Sequence, residues 1–190
     1  VIGNATYRHA QPLPNPGNDA RDIAALLRSQ PLGFAVELVL DQNVANMRAT
    51  LSRFSQKARN AEVALFFFAG HAIQARTETG RGQTNYLLPV DAQARRELDL
   101  PQEAVTLDSV LAAMSGAGAS LVLLDACRDN PLEQSMQRID GSRGGPSRGL
   151  SPVRSIQPNT LIAFATLPED TAKDGAGRNS PFTTALLRHI

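Results

Sequence analysis

A histidine and the only cysteine of the chain each follow a continuous run of apolar residues. Residues 63–68 read Val-Ala-Leu-Phe-Phe-Phe and lead to His71. Residues 121–124 read Leu-Val-Leu-Leu and lead to Cys127. Such runs are typical of strands that are buried on both faces of a parallel sheet. If the two strands are parallel neighbours, both side chains emerge at one edge, where an imidazole can activate a thiol as a nucleophile.

Both residues have structural alternatives. A lone cysteine is most often a small buried hydrophobe. The surroundings of Cys127 are polar, however, because Asp125 precedes it and residues 128–130 read Arg-Asp-Asn. This pattern indicates the rim of a sheet, where open α/β folds bind their ligands. His71 could be a hydrogen-bonded structural histidine, and its pairing with Cys127 favours the catalytic interpretation.

Other kinds of site are disfavoured. His9 and His189 are expected in solvent, and the three histidines are too dispersed to indicate a metal site. One cysteine excludes an intramolecular disulfide and a multi-cysteine zinc site. The sequence has no Gly-Lys-Ser/Thr phosphate loop.

The composition describes one globular domain without evident affinity for polyanions. A chain of 190 residues with 42% hydrophobic and 19% charged residues can bury a core and is not disordered. A formal net charge of +1 gives no reason to expect nucleic acid or a membrane as a partner. The chain opens inside an apolar Val-Ile pair, so we expect an excised domain, whose cytoplasmic or periplasmic location the sequence does not indicate.

Strands and helices alternate along the sequence, which favours an α/β fold with a mostly parallel sheet between helix layers. A polar turn at 77–85 between two short apolar segments predicts a small hairpin that projects from this sheet. Residues 91–103 are rich in charge, and we expect them to be exposed. Strands are predicted at 1–3, 34–40, 63–68, 121–124 and 160–165, and helices begin at Gly17 or Asn18, Asn43, Thr106 and Ser180.

Four segments, in order, resemble those of caspase-like cysteine peptidases. Residues 68–71 (Phe-Ala-Gly-His) and 125–128 (Asp-Ala-Cys-Arg) are similar to the catalytic segments of that family. Residues 13–20 (Leu-Pro-Asn-Pro-Gly-Asn-Asp-Ala) and 85–91 (Asn-Tyr-Leu-Leu-Pro-Val-Asp) agree as well. The separation of 56 positions (127 − 71) suits a caspase-type histidine, which lies about 50 residues before its cysteine. The resemblance spans nearly the whole chain and is strongest to the bacterial orthocaspases, which are related to metacaspases.

This resemblance implies a three-layer α/β/α caspase-hemoglobinase fold and a cysteine endopeptidase mechanism with a thioester intermediate. His71 would be the general base and acid and Cys127 the nucleophile, while backbone N–H groups of Ala72 and Cys127 would form the oxyanion hole. Asp19 and Asp125 would line the pocket for the residue before the scissile bond. Two carboxylates select a cation, so we expect cleavage of peptide or protein substrates after Arg or Lys. Asp19 could also cap a helix, and the two roles are compatible.

The resemblance also divides the chain into two parts and a linker. A large-subunit-like part covers about 1–138, a mobile linker about 139–158, and a small-subunit-like part about 159–190, with a final element expected outside it. Glycine and arginine are frequent in the linker, which is typical of a functional loop. Arg143 and Arg148 are candidate self-cleavage sites because related proteins are often processed in this region.

Some positions depart from the family pattern. Ala72 stands where a glycine usually follows the histidine, and Ala69 replaces a small hydroxyl residue. These changes leave an alternative open, a catalytically inactive caspase-like module that binds peptides or partner domains. Retention of both His71 and Cys127 counts against it. The acidic residues that bind calcium in some metacaspases are matched only by Asp99, Gln102 and Glu103, so we expect no cofactor and no strict calcium dependence.

Overall fold

A computed structural model describes residues 1–76, 83–127, 158–165 and 177–190 of the chain, and only the backbone of Arg76 and Cys127. Arg143, Arg148 and residues 139–157 of the predicted linker lie outside the described residues. No helix in the described ranges is long and apolar enough to span a membrane.

The strands of the described ranges form one sheet of seven. In chain order they are β1 (Ile2–Gly3), β2 (Val39–Leu40), β3 (Val63–Arg76), β4 (Gln83–Leu87), β5 (Val105–Thr106), β6 (Ala119–Cys127) and β7 (Thr160–Phe164). Five of them run parallel in the spatial order β2-β1-β3-β6-β7. β4 pairs antiparallel with the carboxyl-terminal part of β3, and β5 pairs antiparallel with β4. The mostly parallel sheet and its projecting hairpin are therefore confirmed.

Helices cover both faces of the sheet. They are α1 (Pro16–Arg28), α2 (Val44–Ala58), α3 (Leu100–Glu103), α4 (Leu107–Met114) and α5 (Pro181–His189), with a 3₁₀ turn at Glu97–Asp99. Successive side chains of the central strands point to opposite faces of the sheet. Phe66 and Phe68 pack in a cluster with residues of α2 and α4. Phe67 and Ala69 pack in the opposite cluster with residues of α1 and α5. This arrangement confirms the three-layer α/β/α fold.

The predicted helix caps are present at three of the four starts. The side chains of Asn43, Thr106 and Ser180 each accept a hydrogen bond from the backbone N–H three residues later, at 2.8, 3.1 and 2.9 Å. The first helix begins earlier than predicted, at Pro16 with Asn15 as its N-cap. Proline is favoured at the first helical position because its fixed φ suits the helix and its missing N–H has no helical partner to lose.

Three expectations about local structure were wrong. The second strand covers Val39–Leu40 and not 34–40, with Ile2 and Gly3 of β1 as its pairing partners. The third strand, predicted at 63–68, continues through His71 to Arg76, and β4 pairs with its last five residues. Residues 91–103 are not uniformly exposed, because Glu97 and Leu100 are buried.

Candidate active site

The register of β3 and β6 brings the histidine and the cysteine together. The parallel ladder between these strands has nine residue pairs, from Val63 opposite Ala119 to His71 opposite Cys127. His71 and Cys127 are thus the last partners of the ladder, at the carboxyl-terminal edge of the parallel sheet. This is the edge at which open α/β sheets carry their ligand sites. The two residues predicted for the chemistry occupy facing backbone positions.

The imidazole of His71 is buried and has a defined orientation. Its Nε2 lies 2.8 Å from the backbone carbonyl oxygen of Gln11. A carbonyl oxygen only accepts hydrogen bonds, so in the neutral imidazole Nε2 carries the proton. Nδ1 is then the ring nitrogen that can take a proton from a neighbouring acid. The Tyr7 ring lies against the imidazole, with ring centroids 4.5 Å apart and a tilt of 54°.

Gly70, directly before the histidine, has no room for a side chain. Its φ is +153°, a value that L-residues rarely adopt. A Cβ atom at this position would lie 2.5 Å from the hydroxyl oxygen of Tyr7 and 3.1 Å from the carbonyl oxygen of Asn4. The glycine therefore lets the loop that carries Tyr7 approach the backbone of β3.

The N–H of Ala72 faces the side of β3 on which β6 lies. The N–H of His71 donates to Tyr7 and its carbonyl accepts from Leu88, both on the side away from β6. Backbone groups of successive strand residues point to opposite sides, so those of Ala72 face β6. Ala72 is fully buried, and it is not among the residues with positive φ. In this strand the positive φ belongs to Gly70, so alanine causes no backbone strain at position 72.

The two predicted pocket carboxylates meet at one serine. The N–H of Ser180 donates to Asp19 Oδ1 at 3.0 Å, and the Ser180 hydroxyl donates to Asp125 Oδ2. Thr183 Oγ1 donates to the same oxygen of Asp125 at 2.8 Å. Asp19 and Asp125 are both buried, with 1% and 9% of their surface exposed. The two carboxylates thus lie close to the end of β6, where α1 and the start of α5 meet it.

A second set of contacts fixes the segment before α5 against α1. Arg178 donates from Nε and Nη2 to the two carboxylate oxygens of Asp22, at 3.1 and 3.0 Å. The hydrogen bond from Arg178 is the main reason that the pKa of Asp22 lies below its usual value. The side chain of Asn18 donates in turn to the backbone carbonyl of Arg178 at 3.1 Å. These bonds position the backbone that leads into Ser180.

The acidic residues compared with calcium ligands have other partners. Asp99 forms an ion pair with Arg96 at 2.6 Å, and the hydrogen bond from Arg96 lowers the pKa of this carboxyl. Glu103 Oε2 accepts the backbone N–H groups of Gln93 and Ala94, each at 2.7 Å. Within the described residues, no cluster of three or more His, Cys, Asp or Glu side chains is arranged to hold a metal ion.

Sequence reasoning missed four residues of this site. They are Tyr7 and the carbonyl of Gln11 beside the histidine, and Ser180 and Thr183 beside the carboxylates. The Ser-Pro pair at 180–181 predicts a helix start, but no local pattern indicates that its hydroxyl bonds a carboxylate 55 positions earlier. Tyr7 and Gln11 lie in a loop without periodicity. Only the path of that loop across the sheet edge brings them to the histidine.

Comparison with known proteins identifies the family of this chain. The caspase domain family matches residues 1–190. No curated protein sequence is significantly similar to the chain.

Two crystal structures are similar in fold. Protein GSU0716 from Geobacter sulfurreducens superposes with a TM-score of 0.66 at 17% identity, covering 98% of this chain and 78% of its own. Caspase-1 from Spodoptera frugiperda superposes with a TM-score of 0.60 at 16% identity, covering 98% of this chain and 66% of its own. At these identities the likeness concerns the fold alone. The match over the full length nevertheless places the chain in the caspase domain family of cysteine peptidases.

Proposed function

We propose that this chain is a cysteine endopeptidase that cleaves after arginine or lysine, with His71 and Cys127 as its catalytic dyad. The observation that carries the proposal is the pairing of His71 with Cys127 at the end of the parallel ladder. The two carboxylates gathered at Ser180 support the preference for a basic residue. The similarity of its segments to orthocaspases supports a place in that branch of the family.

In the proposed reaction His71 activates the thiol. With its Nε2 proton donated to the Gln11 carbonyl, the ring presents Nδ1 as the base. Transfer of the thiol proton to Nδ1 produces the thiolate, which is the nucleophilic form of cysteine. Sulfur attacks the scissile carbonyl carbon, and the carbonyl oxygen becomes an oxyanion.

Backbone donors and the histidine complete the cycle. The N–H groups of Ala72 and Cys127 are proposed to bind the oxyanion, as the resemblance of the two catalytic segments implies. Collapse of this intermediate breaks the peptide C–N bond, and the imidazolium of His71 protonates the leaving amine. The product is a thioester on Cys127. Water, deprotonated by His71, then hydrolyses the thioester and restores the thiol.

The carboxylates of Asp19 and Asp125 are proposed to recognise the basic residue of the substrate. Both are buried, so a guanidinium or ammonium that pairs with them is poorly screened by water. Charge-assisted hydrogen bonds of this kind contribute about 1.5–3 kcal/mol each. We therefore expect Asp19→Asn or Asp125→Asn to lower kcat/KM for an arginine peptide by about 10- to 100-fold. An aspartate in the same position would meet like charges and be rejected.

Fluorogenic peptides that end in Arg, Lys or Asp before the reporter test this proposal directly. The wild type should release the reporter from the Arg and Lys peptides only, and Cys127→Ala should release none. Absence of turnover by the wild type, with no labelling of Cys127 by a thiol-reactive peptide, would refute the peptidase and favour the binding module instead.

Two further features of the proposed enzyme need separate tests. We expect self-cleavage after Arg143 or Arg148, which would appear as two fragments in the intact mass of the wild type and not of Cys127→Ala. We also expect activity in the presence of a calcium chelator, because Asp99 and Glu103 already have protein partners. Full activity of an uncut chain would remove the role of the linker arginines, and loss of activity with the chelator would contradict the calcium expectation.

A further inference from the structure

We propose that Tyr7 is a positioning residue for His71, one that holds the backbone and the ring of the histidine in the orientation that thiol activation requires. This inference rests on the proposed function, because it concerns the same dyad. Tyr7 lies 64 positions before His71 in a loop without regular structure. The residue is nevertheless buried, with 7% of its surface exposed, and its side chain reaches the histidine in two ways.

The hydroxyl of Tyr7 fixes the backbone of His71. The N–H of His71 donates to the Tyr7 oxygen at 2.7 Å, and the hydroxyl donates onward to the Leu88 carbonyl at 3.3 Å. The N–H of Leu88 donates to the carbonyl of His71 at 3.0 Å, which closes the connection. On this side of β3 its partner changes from the parallel strand β1 to the antiparallel strand β4. The His71 N–H therefore donates to the Tyr7 hydroxyl and not to a carbonyl of a neighbouring strand.

The ring of Tyr7 restricts the imidazole itself. The two ring centroids lie 4.5 Å apart, so any large rotation of the imidazole toward Tyr7 is sterically blocked. The Gln11 carbonyl holds Nε2 at 2.8 Å. Together the tyrosine face and the carbonyl leave the imidazole one orientation, in which Nδ1 is the nitrogen available for the thiol proton.

Tyr7 can position the histidine because its own loop is anchored on both sides. The backbone N–H groups of Ala5 and Thr6 donate to Asp41 Oδ1 at 2.8 and 2.9 Å. The N–H of Arg8 donates to the carbonyl of Val90 at 2.8 Å. Gly70 completes the arrangement, because only a residue without Cβ lets the tyrosine hydroxyl come this close to β3. The loop therefore transmits a fixed geometry to the histidine.

The experiment measures thiol reactivity as well as turnover. Cys127 is the only cysteine, so the rate of alkylation by iodoacetamide reports its thiolate without using the substrate pocket. Tyr7→Phe keeps the ring and removes the hydroxyl, whereas Tyr7→Leu removes both. Tyr86→Phe is the matched control, since Tyr86 is the other tyrosine of the chain and is also buried. His71→Ala gives the rate of the unassisted thiol.

We expect Tyr7→Phe to lower the alkylation rate and kcat by about tenfold and Tyr7→Leu by about 100-fold, with KM nearly unchanged. Both rates are normalised to the folded fraction determined by circular dichroism, so loss of folded protein does not count as loss of kcat or of thiol reactivity. Tyr86→Phe should leave both rates at the wild-type value.

The outcomes separate this inference from the proposed function. Wild-type rates in Tyr7→Phe and Tyr7→Leu, with only a lower melting temperature, would overturn the role of Tyr7 while leaving the peptidase intact. The wild type could fail to cleave peptides while its thiol is still alkylated faster than that of His71→Ala. This result would overturn the proposed peptidase activity. The alkylation rates of Tyr7→Phe and Tyr7→Leu would then still test the role of Tyr7. Equal alkylation of the wild type and His71→Ala would overturn both.

Discussion

Replacement of Ser180 by alanine removes one hydroxyl that serves both a helix and a buried carboxylate. The hydroxyl donates to Asp125 Oδ2 and accepts the N–H of Thr183 at 2.9 Å, which caps α5. The bond from the Ser180 backbone to Asp19 does not depend on the side chain and remains. Loss of the cap costs about 1 kcal/mol, and loss of a bond to a buried carboxylate costs about 1.5–3 kcal/mol. We expect the free energy of unfolding to fall by about 2.5–4 kcal/mol.

Urea denaturation at neutral pH measures this loss, and two variants act as controls. Ser180→Thr keeps a hydroxyl that can cap and donate, so it should retain most of the stability. Thr183→Val keeps the shape of its side chain and removes only the 2.8 Å bond to Asp125, so it should lose about 1.5–3 kcal/mol. Because Asp125 would also be less well oriented, Ser180→Ala should raise KM for arginine peptides, with the alkylation rate of Cys127 unchanged.

Equal instability of Ser180→Ala and Ser180→Thr would refute this reasoning. The loss would then come from packing at the start of α5 and not from the hydroxyl. A loss below about 1 kcal/mol for Ser180→Ala would likewise show that the bond to Asp125 contributes little.

Two further predictions concern the backbone and the pH dependence. Gly70→Ala should destabilise the fold by about 2–4 kcal/mol and lower the alkylation rate, because its Cβ would displace the Tyr7 hydroxyl. Gly177→Ala, whose nearest atom would lie at 3.6 Å, should change the stability by less than about 0.5 kcal/mol, and equal effects in denaturation would contradict the steric argument. Arg178 lowers the pKa of Asp22 in the folded state, so the bond contributes stability above the unfolded pKa of about 4 and loses it as pH falls through the folded value. Wild type should therefore exceed Asp22→Asn by up to about 1 kcal/mol at pH 7 and by less near pH 2.5, and a constant difference would exclude this linkage.

The buried strands were predictable because their apolar runs are continuous. The runs at 63–68 and 121–124 have few alternatives in an α/β protein, and their pairing places His71 opposite Cys127. The caps at Asn43 and Thr106 were predictable for a similar reason, since each is a short-range bond within one helix turn.

Features that depend on distant partners were not predictable from one sequence. The charge of residues 91–103 suggested exposure, yet Glu103 turns its carboxylate to two backbone N–H groups and Leu100 is buried beneath the turn. Alternation at 34–40 suggested a long strand, but only Val39 and Leu40 pair with β1. The contacts of Tyr7 with His71 and of Ser180 with Asp125 join segments that have no common pattern. Their detection required the path of the chain in three dimensions.

β6 precedes residues 128–157 and β7 follows them, so the ladder between these two strands joins the chain before this segment to the chain after it. It comprises five residue pairs, from Ser120 opposite Thr160 to Leu124 opposite Phe164. The contacts of α5 with Asp125 and of Arg178 with Asp22 add to it. A break in any peptide bond between 128 and 157 would leave the carboxyl-terminal fragment bound as a noncovalent second chain. Nicked protein would therefore elute with intact protein in gel filtration and separate into two pieces only in denaturant.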